Sequence, residues 1–292
     1  MSSDCCGNGC LVCVFDIYEQ ELVLWKKECE QIRNGELAGQ TNTQCSTLHA
    51  EEYHTFKITD ITKETDTCFK YKFSLPHHQC LHYSPGQHLI LRWKSTDRVV
   101  TRQYTVISDA TASGYFKVLI KQYPDGCMSQ YVHTWSVGDL VEWRGPFGHF
   151  TYTPNMRRWV VLLAAGTGLA PMTHVVRTVL DNDDDETRLR LVYACRSYGD
   201  ILLKTQLDAW QDFWNFSVLY VLSQDVQETE ALRRSSDQIH NGRLDESLLR
   251  QELLQLDCED VRVLICGTKS FNRDMVDSVA RIGLTEKDYF VF

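Results

Sequence analysis

The spacing of apolar residues changes once along the chain, near Trp159, and this change limits the folds available. From Tyr53 to about Tyr152, apolar and polar residues alternate in six short segments separated by Gly and Pro. From Trp159 onward, apolar runs of strand length alternate with segments of helical period. Short alternating strands are typical of an antiparallel barrel, and repeated strand–helix units are typical of a parallel sheet with right-handed crossovers. The sequence therefore predicts a β-barrel followed by an α/β domain.

The predicted elements are as follows. Barrel strands are expected at residues 54–59, 68–73, 88–93, 104–108, 115–121 and 140–143. In the α/β part, strands are expected at residues 159–165, 189–194, 216–222 and 261–266, with helices at 172–180, 202–213 and from 272. Residues 1–48 are expected to form a Cys-rich module with a helix at 17–32 and a linker, followed by domains at 49–153 and 154–292.

The composition excludes several classes of protein. A net charge of -9 is opposite in sign to the basic footprint of nucleic-acid binding, so no nucleic-acid partner is expected. No apolar run approaches the roughly 18–20 residues that span a bilayer, and no signal peptide is recognisable. Twelve cysteines without an export signal indicate thiols in a reducing compartment. We expect a cytoplasmic monomer, with peripheral association with endoplasmic-reticulum or mitochondrial membranes left open.

Three short motifs follow one another in a fixed order and together indicate a bound flavin. They are Arg102-Gln-Tyr-Thr-Val-Ile-Ser, Gly126-Cys-Met-Ser-Gln-Tyr and Gly166-Thr-Gly-Leu-Ala-Pro-Met. Arg102 offers a pyrophosphate a forked, permanently charged donor. The ring of Tyr104 can pack against an isoalloxazine, and Thr105 can place a hydroxyl or amide near the flavin nitrogen that receives a hydride. A flavin-dependent reductase is the function that this series predicts.

Over about residues 53–292 the sequence resembles the NADH-cytochrome b5 reductase family, within the ferredoxin reductase-like flavoproteins. Besides the three motifs, the resemblance rests on Pro85-Gly-Gln-His, Arg144-Gly-Pro-Phe-Gly, Asp200-Ile-Leu-Leu, Cys266-Gly and the terminal Phe290-Val-Phe. It implies a flavin-binding barrel, a nicotinamide-binding domain and FAD in the cleft between them. It also implies that a hydride is transferred from NADH to FAD. FAD would then pass single electrons to cytochrome b5 or a similar haem or iron–sulfur acceptor.

The resemblance also implies which residues form the site. Thr105 and Cys266 are the candidate catalytic residues. The candidate cofactor-binding residues are Arg102, Gln103, Tyr104, Thr105, Leu119, Lys121, Tyr123, Cys127, Met128, Ser129, Gly166, Thr167, Gly168, Pro171, Met172, Cys266 and Gly267. Met128 and Ser129 would open a helix whose free amides face the pyrophosphate, and the glycines would let a cofactor approach the backbone.

Four positions depart from the family pattern. Cys127 replaces a lysine that could serve a phosphate or an acidic partner, and Ala170 replaces a threonine on the flavin side. Ser223 stands where an aspartate typically contacts the adenosine ribose, so NADPH is not excluded as a donor beside NADH. Thr268 begins a segment that replaces a run of prolines after Cys266.

The amino-terminal module contains four thiols within nine residues, Cys5, Cys6, Cys10 and Cys13. It resembles the small oxidoreductase-like module found in the "reductase-like" branch of the family. The Cys10-x-x-Cys13 spacing suits zinc or an iron–sulfur cluster, whereas adjacent cysteines make poor joint ligands for one ion. Three roles for this module remain open: metal binding, a redox or docking element, and an ordered cap with free thiols. The alternative function is accordingly a flavin-binding scaffold, or a weak reductase, whose Cys-rich module docks a partner or metal.

Overall fold

A computed structural model describes residue 26 and residues 48–224, 234–256 and 260–292. Two six-stranded sheets organise these residues, the first antiparallel and the second parallel. The sequence predicted both, and the expected order of a barrel followed by an α/β domain is confirmed. The predicted helix at 17–32 lies outside the described residues apart from Lys26, which is helical and exposed.

The first sheet contains β1 to β6 in the order β4-β3-β6-β1-β2-β5. An isolated antiparallel bridge between Val106 and Val118 links the segment after β4 to β5 and closes the sheet into a barrel. Inward side chains such as Phe73, Phe116 and Trp143 fill its core, with ring centroids 5.0–5.8 Å apart. The elements are β1 His54–Lys63, β2 Cys68–Ser74, β3 His88–Lys94, β4 Val99–Thr105, β5 Tyr115–Lys121, α1 Cys127–His133 and β6 Leu140–Phe147.

One predicted barrel strand is misplaced. The strand expected at 104–108 runs instead over Val99–Thr105, because β4 pairs with all seven residues of β3, from Val99 opposite Lys94 to Thr105 opposite His88. Cross-strand pairing thus outweighs the local apolar pattern of residues 104–108. As a consequence, the residues 102–105 are the end of a strand and not its beginning.

The second sheet has the order β10-β9-β8-β7-β11-β12, and all of its strand pairs are parallel. Its central strand β7 is apolar throughout because it is buried on both faces: Val161 and Leu163 belong to one apolar cluster, Val160 and Leu162 to the other. The elements are β7 Trp159–Ala165, α2 Leu169–Leu180, β8 Arg188–Cys195, α3 Lys204–Trp210, β9 Phe216–Leu222, β10 Gln238–Asn241, α4 Glu246–Gln255, β11 Val261–Cys266, α5 Lys269–Ile282 and β12 Tyr289–Val291.

The strand order reverses between β7 and β11. Chain order runs outward from β7 to β8, β9 and β10 on one side, and then resumes with β11 and β12 on the other. Crossovers therefore leave the sheet in opposite directions, and a crevice opens beyond the carboxyl ends of β7 and β11. In open α/β sheets this is where ligands bind.

The two domains are joined by specific hydrogen bonds as well as by packing. Arg177 Nη1 on α2 donates to Ile107 O at 2.6 Å, and the Leu203 amide donates to Glu64 Oε1 at 2.8 Å. The Tyr83 ring of the barrel lies 4.5 Å from the His174 ring of α2. These contacts hold the end of β4 against the carboxyl edge of the parallel sheet.

Candidate functional site

A cleft of about 1370 Å³ lies between the barrel and the parallel sheet, with walls contributed by both. Pockets for one small ligand typically measure about 300–1,000 Å³. The cleft therefore has room for more than one nucleotide-sized molecule. The cleft includes the crevice beyond β7 and β11. The reversal of strand order therefore explains why the parallel sheet forms one side of the cleft at this point.

The barrel side of the cleft begins with the last four residues of β4. Arg102, Gln103, Tyr104 and Thr105 all line it. The Tyr104 ring packs edge-on against Trp143 with centroids 5.8 Å apart, which holds Tyr104 in place from the barrel core. All four residues contribute atoms to this wall, although successive side chains of a strand point to opposite faces.

Strand β5 and helix α1 continue this wall. Leu119, Lys121, Tyr123, Cys127, Met128 and Ser129 line the cleft. Ser129 Oγ accepts a hydrogen bond from the Tyr123 amide at 3.0 Å, which ties the start of α1 to the loop after β5. The amides of the first helical turn have no acceptor within the helix and are available to an anion.

Three glycines shape the opposite side of the cleft, where the loops after β7 and β11 meet. A Cβ on Gly168 would lie 2.1 Å from the Cys266 carbonyl oxygen, and one on Gly267 would lie 2.3 Å from a ring carbon of Phe271. Gly166 has a φ of +54° and open space where a side chain would stand. Gly168 therefore allows the two loops to touch, Gly267 leaves space for the Phe271 ring of α5, and Gly166 leaves room for a ligand.

Three buried thiols in the cleft, those of Cys68, Cys195 and Cys266, are protonated at neutral pH. Cys266 is 3% exposed, and burial raises the pKa of its thiol far above the ordinary value. Burial likewise raises the pKa of Cys68 to about 12 and that of Cys195 to about 12. A nucleophilic role needs a thiolate, so Cys266 is suited to packing beside a ligand and not to covalent chemistry.

Two buried polar atoms in the cleft test whether a flavin fits. Among the described residues, neither Gln103 Nε2 nor His88 Nε2 has a hydrogen-bond partner, although both are buried. Burial lowers the pKa of His88 to about 4, so its ring is neutral at physiological pH. Buried donors and acceptors are rarely left unpaired, and the polar edge of an isoalloxazine supplies both kinds of partner. The residues present therefore fit FAD.

An aromatic cluster that was not among the expected cofactor-binding residues closes one side of the cleft. Phe150, Phe290 and Phe292 line it, with ring centroids 4.9–5.2 Å apart. A Cβ on Gly86 would lie 2.5 Å from the Phe292 ring, so the Pro85-Gly segment lies directly against that ring. The Phe290-Val-Phe sequence was the available signal, because two aromatic residues that are two positions apart point to the same face of an extended segment.

Most residues expected at the site line the cleft together, but two do not. Gly168 and Met172 are buried away from it, Gly168 against the Cys266 backbone and Met172 in the apolar core. Thr268 lines the cleft and caps α5, since its Oγ1 accepts from the Phe271 amide at 3.2 Å. A hydroxyl at this position thus begins the helix where the family pattern has prolines.

No metal site is found within the part of the chain that the structure describes. Cys5, Cys6, Cys10 and Cys13 lie outside that part, so the proposed metal or docking role stays a prediction. None of the helices formed by the described residues is both long and apolar enough to cross a bilayer.

The fold and the cleft define a two-domain oxidoreductase that binds FAD and a nicotinamide dinucleotide. Residues 55–152 match the model of the oxidoreductase FAD-binding domain, and residues 162–277 match the oxidoreductase NAD-binding domain. Residues 3–34 match the oxidoreductase-like protein N-terminal family, as the sequence predicted.

Similar proteins define the family more narrowly. The chain is 40% identical over 293 residues to the human protein named NADH-cytochrome b5 reductase-like, covering 100% of this chain and 93% of that protein. It is 34% identical to NADH-cytochrome b5 reductase 1 of Dictyostelium discoideum, covering 84% and 83% of the two chains. The chain belongs to the NADH-cytochrome b5 reductase family.

Solved structures share the fold. The cytochrome b5 reductase domain of Ulva prolifera nitrate reductase matches with a TM-score of 0.73 and 25% identity, covering 85% of this chain and 100% of that one. A ferredoxin NADP+ reductase from Neisseria gonorrhoeae, solved with FAD and NADP, matches with a TM-score of 0.68 and 17% identity over 82% of this chain and 98% of that one. The second likeness concerns the fold alone.

Proposed function

We propose that this protein is an NADH-cytochrome b5 reductase, oxidising NADH and reducing cytochrome b5 or a similar haem protein. The observation that carries the proposal is the cleft, where a wall suited to a flavin faces glycine loops suited to a nicotinamide. FAD, when bound, accepts two electrons with a hydride and releases them one at a time. The residues of the chain supply binding, alignment and exclusion of water.

The proposal assigns the two sides of the cleft to the two cofactors. Residues 102–105, with Leu119, Lys121, Tyr123, Cys127, Met128 and Ser129, hold FAD, and Arg102 pairs with its pyrophosphate. Gly166, Thr167, Pro171, Cys266 and Gly267 line the nicotinamide side. Gly168 and Met172 act indirectly, by packing the loops that the other residues form. Thr105 and Cys266 contact the reacting rings, Thr105 as a hydrogen-bonding group and Cys266 as a packing surface.

The proposed domain boundaries are residues 1–48, 49–153 and 154–292. The two sheets support them, since the antiparallel sheet begins at His54 and ends at Phe147 and the parallel sheet begins at Trp159. The Cys-rich module falls in the first of these units.

A cluster of lysines supports an acidic electron acceptor despite the net charge of -9. Lys72 on β2 and Lys117 on β5 lie directly opposite each other, with ammonium groups 4.3 and 5.3 Å from the Tyr115 ring centroid. Burial and the neighbouring Lys70 and Lys72 lower the pKa of Lys117. Like charges directly opposite are destabilising in a sheet, so a partner of opposite charge would relieve the repulsion. Lys117 also shares a face of β5 with the cleft residues Leu119 and Lys121.

The double variant Lys72→Glu with Lys117→Glu tests the acceptor. We expect cytochrome b5 reduction at low salt to slow at least about tenfold, because complementary charge accelerates association by roughly 10–1,000-fold. Anaerobic bleaching of the flavin by NADH should stay unchanged, since the lysines do not line the cleft. The control is Lys287→Glu, which reverses the charge of one exposed lysine beside β12, as each substitution of the double variant does for one lysine. Equal slowing in the control, or none in the double variant, would refute this acceptor surface.

A further inference from the structure

The carboxyl ends of β8, β9 and β10 place three side chains in a row along the cleft. Cys195 pairs with Leu222 and Leu222 pairs with Asn241, so the residues that follow these strands lie side by side. Arg196 follows β8, Ser223 follows β9, and Arg243 follows β10 after one glycine. All three line the cleft.

Backbone hydrogen bonds hold this row in register. The Ser223 amide donates to Cys195 O at 3.0 Å, and the Gly242 amide donates to Leu222 O at 2.8 Å. Adjacent strands are about 4.8 Å apart, which places Ser223 between the two arginine-bearing segments. The Ser223 hydroxyl lies 3.3 Å from Cys195 O and can rotate toward a ligand.

The charge of the row is positive. Two carboxylates line the cleft within the described residues, Asp200 and Asp274. Asp274 lies on α5 after β11, whereas Asp200 lies beside the row and is already engaged by Arg196 Nη2 at 3.2 Å and by Ser197 Oγ at 2.8 Å. This pair fixes the Arg196 guanidinium, which has five N–H donors in all. Among the described residues no carboxylate forms an ion pair with Arg243, whose side chain is exposed.

This chemistry differs from that of a site for NADH alone. In dinucleotide-binding sheets, a carboxylate at this edge accepts from the ribose 2′-hydroxyl, whereas an arginine accommodates a 2′-phosphate. A phosphate suits two guanidinium groups that flank a hydroxyl, because charge-assisted hydrogen bonds to arginine are among the strongest that side chains make. We propose that Arg196, Ser223 and Arg243 bind the 2′-phosphate of NADPH, so that NADPH serves as a hydride donor alongside NADH.

The site can be tested by binding, without any reaction. The flavin-loaded full chain is titrated calorimetrically with adenosine 2′,5′-bisphosphate and, separately, with adenosine 5′-diphosphate. We expect the bisphosphate to bind at least about tenfold more tightly at low salt, and this ratio to fall as salt rises. Equal affinity of the two probes for the unmodified protein would overturn the proposal.

Variants locate the contribution of each residue. Ser223→Asp should reverse the preference, because its carboxylate repels the phosphate and accepts from a ribose hydroxyl. Arg243→Gln should reduce the affinity for the bisphosphate about tenfold and leave that for the diphosphate unchanged. Arg250→Gln is the control, since it removes the same charge from an exposed position on α4 and does not line the cleft. Equal losses in Arg243→Gln and Arg250→Gln would mean a nonspecific charge effect and would overturn the site.

This inference rests on the proposed function for the use of NADPH as a donor, but the two can fail separately. If NADH bleaches the flavin and the bisphosphate shows no advantage, the 2′-phosphate site is wrong and the reductase stands. If the bisphosphate binds tightly and neither dinucleotide bleaches the flavin, the site stands and the reductase is wrong.

Discussion

Gly166 and Gly168 lie two residues apart after β7, but replacing them by alanine should damage different properties. A Cβ on Gly168 would lie 2.1 Å from the carbonyl oxygen of Cys266 and 2.5 Å from its carbonyl carbon. These are backbone atoms of the neighbouring loop, so they cannot turn aside as a side chain could. At Gly166 a Cβ meets nothing within 4 Å, and the backbone φ of +54° is the main obstacle.

The expected stability losses follow from this difference. Overpacking typically costs about 1–3 kcal/mol, and we expect Gly168→Ala to lose about 3 kcal/mol because β7 and β11 must separate. Gly166→Ala should lose about 1 kcal/mol for a left-handed backbone with a Cβ. At about 2–4 °C per kcal/mol for units of this size, the 2 kcal/mol difference corresponds to about 4–8 °C in Tm.

The assay is thermal unfolding without nucleotide, paired with a binding titration of NADH. Gly168→Ala should melt lowest, whereas Gly166→Ala should melt near the unmodified protein and bind NADH at least about tenfold more weakly, because its methyl enters the cleft. The reasoning would be refuted if Gly168→Ala melted within about 2 °C of the unmodified protein. It would also be refuted if Gly166→Ala bound NADH with unchanged affinity.

Two further predictions concern buried charge. Because burial lowers the pKa of His88 to about 4, its ring stays neutral in the folded protein while the unfolded chain takes up a proton below about pH 6.5. The flavin-free protein should therefore lose roughly 3 kcal/mol of stability from this group between about pH 6.5 and 4. His88→Leu should remove this part of the pH dependence of the free energy of unfolding, measured by denaturant titration. The same pH dependence in both proteins would contradict the prediction. Arg190→Gln should destabilise by about 3–5 kcal/mol, because it strands Glu252, which is 2.7 Å from Arg190 and whose side chain is 7% exposed. Arg190→Met with Glu252→Leu should recover most of that loss in Tm, and a double variant no more stable than Arg190→Gln would show that the stranded charge is not the cause.

The fold was largely predictable where apolar patterns are strong. The strand at Trp159–Ala165 has the predicted bounds because its burial on both faces demands an unbroken apolar run. Strands β10 and β12 were missed, because Gln238–Asn241 and Tyr289–Val291 are short and only partly buried. Helix α4 was also missed. Pairing with existing strands, which no local pattern encodes, creates both edges of the parallel sheet.

The site was predictable only as far as motifs reach. Arg102 and Tyr104 belong to a contiguous motif, and their place on the cleft wall follows from it. Phe150 and Arg243 belong to no motif and reach the same cleft from segments 93 residues apart in sequence, through packing that becomes visible only in three dimensions. Gly168 shows the converse, since its motif is that of a ligand-binding turn whereas its backbone contacts Cys266.

The measurement that tests the central claim most directly is the anaerobic absorbance of the purified full chain near the flavin bands, titrated with NADH and then, separately, with NADPH. We predict a bound flavin that NADH bleaches stoichiometrically, with NADPH also active. A flavin spectrum that neither donor bleaches would contradict the reductase and favour the flavin-binding scaffold. Folded protein without any flavin would contradict the assignment of the cleft itself.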